Sequence, residues 1–131
     1  MAPVPAEVVE GVRAAIAAYT QALDDGRTED VVATFCPDGS CEIPGLGTHE
    51  GHEALLAAYA RWAPRAPQRH LVVNTLVTHW GAAEAHAVSD VVFLLRRDRG
   101  WSVEVVGRYH DTLHRAADGT WRFHHRRAEF A

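Results

Sequence analysis

The stretch AEAHAVSDVVFLLRRDRGWSVEVVGRYHDTLH, residues 83–114, decides the fold. It consists of two long runs rich in Val, Leu and aromatics, joined by Asp98-Arg99-Gly100. Branched and aromatic side chains suit a pleated, half-buried surface, and a short Gly-bearing joint between two such runs is hairpin chemistry. Similar runs flank the stretch: residues 70–80 lead to Gly81, and residues 121–127 follow Asp118-Gly119. Strands are therefore expected over 70–80, 83–97, 101–114 and 121–127, joined as an antiparallel meander.

Upstream the period changes from two to about three and a half. Val8, Val12, Ile16, Tyr19 and Leu23 fall on one face of a helix that Asp24-Asp25-Gly26 ends. Thr28 is placed to cap a short second helix, with Glu29 and Asp30 in its first turn and Val31, Val32 and Phe35 carrying it to Pro37. Pro37-Asp38-Gly39 reads as a turn, residues 40–43 as a brief strand and Pro44-Gly45-Leu46-Gly47 as a loop. A third helix is expected over 51–62, with Leu55, Leu56, Tyr59 and Trp62 inward, stopped by the segment from Ala63 to Pro67. Three N-terminal helices packed in a curved antiparallel sheet make an α+β cone whose mouth suits a small molecule.

Composition agrees with one domain over residues 1–131, since 47% of residues are hydrophobic and 23% charged. No apolar run approaches the roughly 20 residues of a membrane-spanning helix, and no charged-then-apolar signal pattern opens the chain, so a soluble, cytoplasmic protein is expected. Thirteen basic residues, all Arg, against 17 acidic ones give a net charge of −4 without a basic stripe, which argues against nucleic acid as a partner. Cys36 and Cys41 are read as reduced, buried thiols.

Acid–base chemistry needs carboxylates and imidazoles that converge. Asp24 closes the first helix and His70 opens the first long strand. A carboxylate that accepts a hydrogen bond from one imidazole nitrogen fixes the tautomer and leaves the other nitrogen to act as base. The bland alternative is a helix-terminal turn and a strand-edge histidine. Period-two counting from His70 puts Asn74 on the same face, and in the next strand but one it groups Arg108, His110 and Thr112 against Tyr109, Asp111 and Leu113. If His70 faces the pocket, Asn74 is expected there as a substrate-binding group, and so is His110 if it points inward; the alternative is that His110 and His114 lie on an exposed face. Tyr19, inward with Ile16 and Leu23, is either core or a donor to a substrate oxygen. The nine His residues show no metal-ligand spacing, and no Gly-rich phosphate loop or nucleophile elbow is present, so no metal and no cofactor are expected.

Tyr19 to Gly26, Phe35-Cys36-Pro37-Asp38-Gly39, Gly51-His52-Glu53-Ala54-Leu55, Arg69 to Asn74, Gly107 to Asp111 and Gly119 to Phe123, in that order and spacing, resemble the SnoaL-like branch of the nuclear transport factor 2-like superfamily over nearly the whole chain. Within it, the chain is similar to scytalone dehydratase and bile acid 7α-dehydratase, whose helix-terminal Asp and strand-opening His fall on Asp24 and His70; a Tyr of the bile acid enzyme matches Tyr19. The resemblance implies a cofactor-free lyase or isomerase acting on a small, cyclic, apolar hydroxy-ketone or enone. A polyketide cyclase, or a ligand-binding or partner subunit of the same fold, is the alternative it allows. The general base of the similar ketosteroid isomerase would fall on Ile43, a hydrocarbon, and a second pocket His of scytalone dehydratase near Leu95. The family also implies a homodimer formed through the outer face of the sheet, with exposed Trp and Tyr at the contact.

Overall fold

The computed structural model describes residues 2–131. The elements run α1 (Ala6–Asp24), α2 (Thr28–Ala33), β1 (Phe35–Ile43), β2 (Gly47–Glu50), α3 (His52–Arg61), β3 (Gln68–Trp80), β4 (Glu84–Arg97), β5 (Gly100–Arg115) and β6 (Trp121–Phe130). All six strands join one sheet in the order β2-β1-β6-β5-β4-β3. The expected meander is its β3 to β6 half, antiparallel throughout. The other half was not expected: β1 runs parallel to β6, and Pro44 to Gly47 is a hairpin joint rather than an open loop, turning the chain back so that β2 pairs with β1. Pro37-Asp38-Gly39 lies inside β1, where the register with β6 shifts between Phe35 and Ser40. Lacking an N–H, proline makes no ladder bond, and such residues are tolerated where the pairing is interrupted.

Helix α1 buries the face its spacing requires: Val8, Val12, Ile16, Tyr19 and Leu23, together with Ala15 and Ala22. Gly11 lets the Trp121 indole lie against this helix, because a Cβ there would come within 2.2 Å of the ring. Helix α2 stops at Ala33, so Phe35 belongs to β1, and Arg27 rather than Thr28 occupies the capping position, with no side-chain cap bond. In α3, Leu55 and Tyr59 are buried as expected, while Leu56 faces solvent. A cluster of α1, α2 and α3 side chains with Phe35, Leu113, Trp121 and Phe123 forms the core.

Three irregularities set which side chains reach the interior. In β3 the register with β4 shifts between Val73 and Leu76, around Asn74, whose φ is 55°. Asn tolerates this left-handed conformation better than most residues, and the inserted residue reverses the alternation: Gln68, His70 and Val72 point inward before it, Thr75 and Val77 after it. Similar shifts separate Val103 from Val105 in β5 and Phe123 from His125 in β6. After the last of these, Arg126 and Ala128 face inward.

Candidate active site

The inner face of the sheet, α1 and α3 enclose a cavity of about 260 Å³. Leu23, Ile43, Trp62, Phe93, Val105 and Phe130 supply its apolar wall, and Tyr19, Tyr59, Gln68, His70 and Tyr109 its polar groups.

Asp24, at the C-terminal end of α1, is buried against the start of β3. One carboxylate oxygen accepts the backbone N–H of His70 at 2.7 Å, and the other accepts the Gln68 amide at 3.1 Å and faces His70 Nδ1 at 2.6 Å. A carboxylate so placed acts as acceptor, so Nδ1 carries the hydrogen and Nε2 presents its lone pair. The negative end of the α1 dipole favours an Asp24 surrounded by donors. The His70 ring packs on Phe93 with centroids 4.6 Å apart, which fixes its plane. The arrangement is thus an oriented imidazole on the wall of an apolar cavity, able to take up and return one proton.

A second polar group lies behind the cavity wall. Arg126, buried, donates from Nε and Nη2 to the two Asp111 oxygens at 2.8 and 3.1 Å. Its guanidinium carbon lies 3.7 Å from the centre of the Tyr109 ring and 4.4 Å from those of Tyr19 and Phe123. Burial works against this cation, but Asp111 and the electron-rich phenols more than offset it and keep it charged. Nη1 is buried without a hydrogen-bond partner. The Tyr19 and Tyr59 hydroxyls bond to each other at 2.5 Å.

Burial pushes all three phenols up from their ordinary value; Tyr109 adds to the rise at Tyr19 and Tyr19 to that at Tyr59, while Arg126 pulls each of the three partly back. These are the chain's three tyrosines. Below about pH 10, the ordinary phenol value, they are neutral in both folded and unfolded chains. Above it the unfolded chain releases protons that the folded one retains, so stability falls as pH rises. Tyrosinate absorbance is therefore expected to appear together with loss of circular dichroism in one cooperative alkaline transition. Tyrosinate forming near pH 10 with the fold intact would contradict the burial argument.

Tyr19 and His70 thus line one cavity, with Asp24 bonded to His70 behind the wall, and two expected residues do not reach it. Asn74 is exposed on the outer side and donates to Asp90 at 2.9 Å, because the bulge at its own position turns it away from His70. His110 also faces outward, with Nε2 3.0 Å from a Glu129 carboxylate oxygen, since Tyr109, Asp111 and Leu113 occupy the inward face of β5. Sequence reasoning missed Gln68, Tyr59, Tyr109 and Arg126 as parts of the site. Gln68 carried a readable signal, as it precedes His70 by two on one strand. No three His, Cys, Asp or Glu side chains converge as a metal site among the described residues.

The profile of the SnoaL-like domain family matches residues 5–127. The chain belongs to that family. This SnoaL-like domain shares its fold with solved proteins described as having a cystatin-like fold, one of them called nuclear transport factor 2-like. No curated protein matches it. A Mycobacterium tuberculosis protein of unknown function is 26% identical, with a TM-score of 0.87 over 94% of this chain and 76% of that one. A Catenulispora acidiphila protein, solved in complex with S-DNPA, is 27% identical, with a TM-score of 0.85 over 96% of this chain and 95% of that one. A Novosphingobium aromaticivorans protein provisionally named a scytalone dehydratase is 20% identical, with a TM-score of 0.81 over 94% and 83%, a likeness of fold alone.

Proposed function

We propose that this SnoaL-like domain is a cofactor-free lyase or isomerase that moves one proton on a small, cyclic, largely apolar hydroxy-ketone or enone. The observation carrying this reading is the Asp24-oriented His70 on the wall of an apolar cavity. At about 260 Å³ the cavity lies below the roughly 300–1,000 Å³ of drug-sized sites, which suits one or two rings better than a four-ring steroid. His70 Nε2 would remove a proton next to the carbonyl, and the released electron pair would form the enolate. Departure of a β-hydroxyl, protonated by the same imidazole, would then give the enone and water. This sequence needs one positioned acid–base group and a donor for the enolate oxygen, so the protein itself can supply both. Ring closure of a polyketide by an aldol step would use the same groups. The S-DNPA complex of the Catenulispora relative supports a ligand-binding role for the fold.

The test is turnover of a panel of cyclic hydroxy-ketones and enones by the wild type and His70→Ala. Turnover is expected to fall by about 10²–10⁴ in the variant, the usual worth of a general base. Binding that is equal in both proteins, without turnover in either, would point instead to a carrier or partner subunit.

We further propose a homodimer through the outer face of β3 to β5, where Leu71, Val73, Leu76, Trp101, Val103 and Val106 are exposed together. Of the aromatics expected there only Trp contributes, since all three tyrosines are buried. Light scattering is expected to give twice the chain mass, and a monomer at micromolar concentration would reject the pairing.

A further inference from the structure

We infer that Tyr109 is the hydroxyl that meets the substrate's carbonyl oxygen as negative charge develops on it, with Arg126 positioning its ring from behind; this rests on the acid–base reading above. Three observations carry it. Of the three phenols on the cavity wall, Tyr19 and Tyr59 engage each other. Tyr109 is 7% exposed and lines the cavity, and unlike the Tyr19 and Tyr59 hydroxyls its own makes no hydrogen bond among the described residues. The hydroxyl oxygen itself stays accessible, since it is not among the buried unpartnered atoms, so it is free to donate to an acceptor that a ligand brings into the cavity.

The second observation is its support. The Arg126 guanidinium lies 3.7 Å from the ring centre and is itself held by two hydrogen bonds to Asp111, which fixes the ring. A cation against a phenol also makes its O–H a better donor. The third is location. His70 and Tyr109 line the same cavity, one from β3 and the other from β5. His70 and Tyr109 therefore address one bound molecule: the C–H proton passes to Nε2, the C–H electron pair becomes the new C=C bond, and the carbonyl π pair moves to an oxygen that accepts, without receiving, the Tyr109 hydrogen. The substrate class is a ring ketone that turns its carbonyl toward the inner face of β5.

The test uses 4-nitrophenolate, an anionic oxygen on a ring, against nitrobenzene, which lacks that oxygen. The wild type is expected to prefer the phenolate. Tyr109→Phe should lose about tenfold or more in phenolate affinity, the worth of a hydrogen bond to a charged group, while nitrobenzene binding stays the same and reports an intact cavity. Arg126→Lys, which keeps a cation behind the ring, should retain most of the preference that Arg126→Gln loses. A wild type without preference, or a Tyr109→Phe protein that binds phenolate as tightly as wild type, overturns the inference. On any ketone the wild type turns over, Tyr109→Phe should lower kcat by about 10²–10³ and change KM far less. Undiminished kcat would overturn the Tyr109 role and leave His70 as base. A phenolate preference lost in Tyr109→Phe, with no ketone turned over by the wild type, would keep the oxygen seat and remove the acid–base reading.

Discussion

Asp24→Asn is expected to abolish most turnover while leaving the fold nearly unchanged. The carboxylate accepts from the backbone N–H of His70, the Gln68 amide and His70 Nδ1. An amide of the same shape has one oxygen for those donors and an NH2 that must find acceptors. With the oxygen on the His70 N–H, the NH2 faces Nδ1 and is satisfied only when that nitrogen is bare. The imidazole hydrogen then moves to Nε2, and the nitrogen facing the cavity can no longer take a proton. A loss of about 10²–10⁴ in kcat follows, comparable to deleting the base. Substrate affinity should change little, because the cavity wall is otherwise intact. Kinetics on a panel substrate, with thermal melts of both proteins, make the comparison. An Asp24→Asn enzyme within a few-fold of wild type would mean that Asp24 only anchors β3 to α1.

How far the site can be read from sequence depends on the element that carries each residue. Helix α1 was legible throughout, since its apolar period fixes the direction of Tyr19, Leu23 and Asp24 at once. Strands carry less information, because alternation assigns two faces without saying which is inside, and one bulge reverses them. Asn74 shows the second problem: its left-handed backbone is the inserted residue that ends the phase begun at His70. His110 shows the first. Its strand offers Arg108, His110 and Thr112 against Tyr109, Asp111 and Leu113, and a carboxylate argues against the inner face. Asp111 is inward only because Arg126 faces it across the ladder. Arg126 in turn sits in the run His124-His125-Arg126-Arg127, which reads as a solvated stretch until the bulge before it is known. Strand β2 escaped notice because Gly47-Thr48-His49-Glu50 is a short polar edge without apolar alternation.

The Asp111–Arg126 pair carries the largest expected effect on stability, and the sign depends on how many partners are removed. Both side chains are almost wholly buried, at 0% and 2% exposure. Taking either charge out of water is expensive, and their attraction returns that cost only while both are present. Asp111→Leu leaves a guanidinium enclosed by the Tyr19, Tyr109 and Phe123 rings, with Nη1 already unpartnered and two more nitrogens joining it. About 3–5 kcal/mol of stability should be lost, a large share of the ~5–15 kcal/mol that holds a domain of this size, with a fall in Tm on the order of 10–20 °C. Arg126→Met strands the carboxylate instead, which can escape by taking a proton, so its cost should be smaller at acidic than at neutral pH. Joining the two changes as Asp111→Leu with Arg126→Met removes both desolvation costs and should recover most of the loss, a coupling that chemical denaturation of the single and double variants would measure. Losses that simply add would mean that the two charges do not depend on each other. Recovery of stability together with loss of the phenolate preference in the double variant would mean that the pair is kept for the oxygen it helps to bind, at no gain to the fold.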